Sequence, residues 1–447
     1  MTQQAVRAAD GHTSGRRWRP VVSGVLAERA GRRALEVAGL VRQVVAGDPE
    51  YAGGLEGTAG AAVLFGQLDR IHPDQGWDVA AHECVKLSVR EIEETANTEP
   101  GLFNGLGGLA FTAWSLSRGG TRYAGLLAGL DDRVTRGAVR LAEEFTAKPY
   151  DRPIVEYDVI SGLSGITGYL LLRKDEPAVA EALPKILEAL VAFCGIGPGG
   201  PNWFVSPETL GPAMLSDIFP AGMYNLGLAH GIPGPLALLA LAYDAGQRVD
   251  GQLEAIERVA HWLVDQRCDD EWGPGWSIGA EREPTPRHAA HNAWCYGSAG
   301  VARALWLAGR ATGDDRLRAE ALETMDGIYR RPSNVRGIDN SPGLCHGVGG
   351  LLQLTSLFAA ETATAGDVAV PAEVTAAGAF EAEAAGQVER LLELFDPELR
   401  TGYYALETEG ARNESVGLLD GAAGAALALL AATTAVDPVW DRLLLMA

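Results

Sequence analysis

Apolar residues along this chain fall into two alternating kinds of run. One kind is apolar on nearly every side and rich in small residues: 61–64, 109–116, 169–172, 236–242, 301–308, 351–360 and 425–432. A helix with that pattern has to be buried all round. The other kind is amphipathic. In 253–264, Leu253, Ile256, Ala260 and Leu263 share one face, while Glu254, Glu257 and Arg258 fall elsewhere. Residues 132–146 and 379–395 behave in the same way. The alternation predicts pairs of helices, one inner and one half-exposed.

A short Gly-x-x-Gly motif precedes each buried run. The first glycines of its seven copies are Gly57, Gly105, Gly165, Gly231, Gly297, Gly347 and Gly421. Repetition over nearly the whole length sets the fold. Helix pairs stacked in a line leave raw apolar ends, whereas a closed ring leaves none. The expected fold is therefore all-α, an (α/α)7 toroid spanning 19–447 as one domain. Each glycine turn starts an inner helix, where glycine permits positive φ and close approach. Residues 195–212 and 269–287 read as long loops. Residues 1–18 read as disordered.

The residue before the first glycine is Glu56, Asn104, Ser164, His230, Tyr296, His346 or Asp420. All seven are polar between apolar flanks, and a ring would converge them at one mouth. Asn, Ser and Asp there also suit helix capping; Tyr296 and the two histidines do not. Cys295 and Cys345 occupy the same slot of neighbouring repeats, and His346 follows the second. Three such ligands on equivalent turns point to a zinc site with an open fourth position. Asp158, in the loop before repeat three, and His230 are further candidates for chemistry.

Composition narrows the partners. Lys and Arg number 37 against 58 Asp and Glu, a formal charge of −21. That balance disfavours nucleic acid and anionic membranes. The five cysteines show no disulfide spacing, which fits a reducing, cytoplasmic setting. No signal peptide or membrane span is evident, so no membrane insertion is expected. Cys84, Cys194 and Cys268 share no slot and read as structural.

These residues resemble the lanthionine synthetase C-like family, the lanthipeptide cyclases. The resemblance rests on Tyr157-Asp158-Val159-Ile160-Ser161-Gly162-Leu163-Ser164-Gly165, Ala229-His230-Gly231, Trp294-Cys295-Tyr296-Gly297, Cys345-His346-Gly347 and the ending Trp440-Asp441-Arg442-Leu443-Leu444-Leu445. It implies a free-standing cyclase with one zinc held by Cys295, Cys345 and His346. It also implies active-site roles for His230, Asp158 and Tyr296. The implied reaction is Michael addition of a cysteine thiol to dehydroalanine or dehydrobutyrine in a dehydrated precursor peptide. A separate dehydratase would make that peptide, and a transporter could share the complex. One departure stands out. Family members often carry Arg four residues before the first zinc cysteine, and here that residue is His291, with Arg287 nearby. His291 is thus a second candidate donor to an enolate.

Other readings stay open at this stage. A zinc prenyltransferase would need an acidic ligand and a basic diphosphate pocket. A glycoside hydrolase on a similar toroid would need paired carboxylates and would leave both cysteines idle. A peptide-binding scaffold, or an enzyme adding an external thiol such as glutathione, would keep the zinc without ring closure.

Overall fold

The computed structural model describes residues 16, 18–47, 53–103, 105–210, 213–283, 288–289, 291–363, 378–406 and 412–447. Among the described residues, seven inner helices form a ring and seven outer ones wrap it; the inner ones are Thr58–Ile71, Leu106–Ser115, Leu163–Leu172, Pro233–Asp244, Ser298–Thr312, Val348–Thr362 and Ala422–Thr433. Each packs on the next, and the last packs on the first, so the ring is closed. Their side chains are buried on almost every face, as the uniform apolar pattern requires.

Six of the outer helices belong to the inner helix just before them in sequence: Trp77–Thr95, Ala124–Ala147, Pro177–Phe193, Gln252–Val264, Asp315–Arg330 and Ala379–Glu393. The seventh inner helix, Ala422–Thr433, instead takes Gly24–Gly47, the first helix among the described residues, as its outer partner. The two ends of the chain therefore close the ring together. Val21 and Val22 both donate backbone N–H groups to Ala432 O, at 3.0 Å. The Trp18 indole donates to Ala431 O at 2.8 Å, and Arg16 pairs with Asp437 and Asp441. Arg16 and Trp18 fall inside the segment expected to lack order, yet both are docked on repeat seven. Residues 1–15 and 17 lie outside the described residues.

The motif glycines start the inner helices, and of the two expected reasons close approach is the general one. Only Gly297 of the first glycines has positive φ, at 101°. Close approach is required throughout. A Cβ on Gly60, Gly108, Gly165, Gly300, Gly350 or Gly424 would lie under 3.0 Å from a carbonyl oxygen five or six residues upstream. This geometry shifts the repeat-three frame by one turn. Its inner helix is preceded by Gly162 and its second glycine is Gly165, so the equivalent polar residue is Ser161 rather than Ser164. Ser164 is buried and donates to Tyr157 O at 2.5 Å.

Capping is likewise done by backbone. No described inner helix has a side-chain cap bond. The first helical N–H groups of Leu106, Val348 and Ala422, and the N–H of Ile232 just before Pro233, donate to the carbonyls of Glu99, Ser341, Ser415 and Asn225 respectively. The polar slot is thereby released from helix capping. Asn104 lies outside the described residues. Gly350→Ala, which drives a methyl group into Leu344 O, is expected to cost about 3 kcal/mol, the upper range for overpacking. Urea unfolding would measure it, with Gly386→Ala, where nothing lies within 4 Å, as the tolerated control.

Both expected loops carry short strands. Phe204–Val205, Met223–Asn225 and Gly279–Ala280 form a three-stranded antiparallel sheet, with Tyr224 opposite both Phe204 and Ala280. Pairing satisfies backbone groups that burial of Trp203, Trp276 and Met223 takes out of water.

The segment Val439–Leu444 packs on the inner helices Leu106–Ser115 and Leu163–Leu172, and Leu445 and Met446 after it are buried. Arg303, wholly buried, donates to Met446 O at 2.6 Å and to both oxygens of Glu361. Burial pushes the Glu361 carboxyl up, but Arg303, Arg310 and the Trp306 N–H outweigh it and hold the group at about 2. Glu361→Ala strands the Arg303 charge and is expected to cost about 3–5 kcal/mol in denaturant unfolding. The depressed group also sets a sign with pH. Its contribution is complete above the unfolded glutamate value of about 4.3 and is lost as pH falls from there towards 2. The Glu361→Ala protein should therefore lose less stability than wild type over that interval.

Candidate metal centre

The glycine turns meet in a belt of backbone hydrogen bonds. Leu418 N–H donates to Leu55 O, Cys345 N–H to Leu419 O, and Cys295 N–H to Cys345 O. Ala229 N–H donates to Cys295 O, Val159 N–H to Ala229 O, and Phe103 N–H to Ile160 O. Each bond links one repeat to its neighbour, so the belt itself is built from main chain and places no demand on the side chains just before the glycines. Those side chains are left for chemistry.

Cys295, Cys345 and His346 come together on this belt. Their ligand atoms all lie within 4.8 Å of one another. Among the described residues, they form the one group of this kind that could hold a metal ion. The Cys345 hydrogen bond, opposed by burial and helped by His346 and His230, holds the Cys295 thiol below its ordinary value. The same hydrogen bond, followed by burial, drives Cys345 well above it. The shared hydrogen bond thus drives the two thiols in opposite directions, Cys295 down and Cys345 up. Two sulfurs and an imidazole are the donor set of a soft or borderline divalent ion. The other three cysteines differ. Burial pushes Cys84 and Cys194 up to about 12, and the Cys268 thiol donates to Gly275 O at 3.5 Å.

A second group faces the first. His230 Nδ1 lies 2.7 Å from Asp158 Oδ2. Asp158 is buried, and its Oδ1 accepts from the N–H groups of Ser161 and Gly162 at 2.7 and 2.8 Å. An acceptor on every side, the carboxylate assigns the proton to Nδ1 and leaves Nε2 as the working nitrogen. The His230 and Tyr296 rings stand 6.0 Å apart. Tyr296 accepts from Asn225 Nδ2 at 3.0 Å, and burial pushes its hydroxyl up to about 12.

His291 stands apart. The Asn292 N–H and side-chain amide both donate to Arg336 O, and His291 is exposed with its ring on the Gly337 turn. Among the described residues, no hydrogen bond or ring contact joins it to His230, Tyr296 or the cysteines. Arg287 lies outside the described residues.

Three neighbours escaped the sequence reading. Asn225 orients Tyr296 from the strand Met223–Asn225. Its signal was weak, since that stretch carried no strong strand pattern. Glu56 and Asp420 stood in the polar slot but read as ordinary members of it. Asp420 Oδ1 lies 3.4 Å from His346 Nδ1. Glu56 accepts from the Leu419 N–H at 2.7 Å, and burial pushes its carboxyl up to about 7.

The chain is 28% identical over 309 residues to the nisin biosynthesis protein NisC of Lactococcus lactis subsp. lactis, covering 68% of this chain and 72% of that one. Its fold superposes on a solved nisin cyclase with a TM-score of 0.75 at 22% identity, covering 93% of this chain and 97% of the other. The family model for lanthionine synthetase C-like proteins matches residues 53–445. With the motif turns, the closed ring and the cysteine–histidine cluster all inside that span, the chain belongs to the lanthionine synthetase C-like family.

Proposed function

We propose that this protein is a zinc-dependent lanthionine synthetase that closes thioether rings in a dehydrated precursor peptide. The observation that carries the reading is the Cys295–Cys345–His346 cluster set beside the Asp158–His230 pair. Cys295, Cys345 and His346 would hold the ion. When bound, zinc would supply the charge that keeps a substrate thiol ionised near neutral pH.

The remaining work falls to the chain itself. The ring mouth orients the peptide so that its cysteine sulfur meets the β-carbon of dehydroalanine or dehydrobutyrine. A carbon–sulfur bond forms there, and the alkene electrons move to the carbonyl oxygen as an enolate. Tyr296 accepts its hydrogen bond from Asn225, so its own O–H is left to donate to that oxygen. His230, oriented by Asp158, takes up the substrate thiol's proton at Nε2 as the thiol ionises and then delivers it to the α-carbon. The thiol proton lost on loading balances the proton gained, and the net change is addition. A separate dehydratase has to supply the substrate. No described helix is long and apolar enough to cross a membrane, and the five cysteines are free, which supports a cytoplasmic setting.

The test is direct. Wild type should contain one zinc per chain and consume the free thiol of a dehydrated, cysteine-containing peptide without change in peptide mass. Full zinc occupancy without thiol loss would turn the reading to a peptide-binding scaffold or an external-thiol enzyme. Absence of zinc would remove it altogether.

A further inference from the structure

Glu56 and Asp420 belong to repeats one and seven, the two that meet where the ring closes. Neither has a place in the ligand set or in the reaction above. Their contacts nevertheless run in series to the ligands. Glu56 Oε1 accepts the Leu419 N–H at 2.7 Å, and Oε2 lies 3.5 Å from the Asp420 nitrogen. The Leu419 carbonyl, on the same turn, accepts from Leu344 and Cys345 at 2.5 and 3.0 Å. The Asp420 side chain then reaches the imidazole of His346 at 3.4 Å. Asp420 Oδ1 is buried and accepts no hydrogen bond of its own. Glycine is needed at two points for this approach. A Cβ on Gly343 would sit 3.1 Å from Asp420 Oδ1, and one on Gly417 would sit 2.6 Å from Glu56 Oε2.

A buried carboxylate oxygen with no donor, directed at the imidazole of a ligand, is an arrangement that fixes the ring of a metal-bound histidine. We infer that Asp420 is a positioning residue for His346, and that Glu56 holds the Leu419–Asp420 turn from which it acts. The inference rests on the zinc reading of Cys295, Cys345 and His346. It also gives the ring closure a role at the site, because one half of the support comes from each side of the seam.

The test is zinc affinity, measured on the purified full chain by competition with a chromophoric chelator, with the metal-free melting temperature recorded alongside. Asp420→Ala is expected to weaken zinc binding about 10–100-fold, with Asp420→Asn falling between it and wild type. Glu56→Ala should also weaken binding. Glu56→Gln keeps an acceptor oxygen for Leu419 and should bind zinc like wild type, a rescue that a requirement for charge would not give. In cobalt-loaded Asp420→Ala, the sulfur-to-metal charge-transfer band should persist while the d–d bands shift, since only the imidazole is released. Wild-type affinity and an unchanged cobalt spectrum in Asp420→Ala would overturn the inference and leave the zinc reading intact. Failure of wild type itself to bind zinc would sink both.

Discussion

Cys345→Ala is expected to abolish ring closure and zinc retention while leaving the fold in place. The substitution removes one of two sulfurs and the hydrogen bond that lowers the other. It does not touch the belt, which uses the backbone N–H and carbonyl of Cys345 and is indifferent to the side chain. Without the cation, a substrate thiol of ordinary pKa, about 8.5, is only ~3% ionised at pH 7. That alone costs about 30-fold, and loss of positioning adds more. The expected result is no detectable thiol consumption over the time wild type needs for completion. Zinc should fall well below one per chain, with far-UV circular dichroism unchanged. Wild-type turnover in this variant would refute the metal's role.

His230→Asn separates proton delivery from metal binding. The asparagine amide can still donate to Asp158, so the buried carboxylate keeps a partner and the loop stays in place. What disappears is the Nε2 acid. The rate of thioether formation is expected to drop about 10²–10⁴-fold, the usual contribution of a positioned acid, with zinc content equal to wild type. Reaction run in deuterated water would locate the defect further. Wild type should place one deuterium at the new α-carbon, and the variant should do so at a rate set by solvent. A variant that closes rings at the wild-type rate would assign the proton to another group.

Much of this architecture was legible in the chain because its signals are local. Small apolar runs after each Gly-x-x-Gly turn mark helices with no wet face, and seven of them have to close. Cys295, Cys345 and His346 were legible because equivalent slots of a repeat become neighbours in a ring. Local signals failed where the determining contact was distant. The repeat-three frame follows from Gly165 lying against the Val159 carbonyl, and both Gly162-x-x-Gly165 and Gly165-x-x-Gly168 satisfy the motif. Capping by Ser or Asp was a fair expectation for an isolated helix. Here the carbonyl seven residues back takes the N–H first. His291 was a candidate donor, yet it is exposed with its ring on the Gly337 turn, a contact distant in sequence. Asp420 and Glu56 were visible as polar residues, but their partnership crosses the seam between the two ends of the chain.

That seam imposes an order in time. The helix Gly24–Gly47 is synthesised well before the surface it covers, on Ala422–Thr433, which emerges from the ribosome some hundreds of residues later. At about 5–20 residues per second, the delay is on the order of tens of seconds. Through that interval Ala34, Val37, Ala38 and Val41, all fully buried in the finished ring, have no native partner on the seventh repeat. The middle repeats can pair helices as they appear, whereas the first helix has to wait. Nascent chains stalled short of residue 422 should therefore engage chaperones through their N-terminal helix and release them only once the final turn is made.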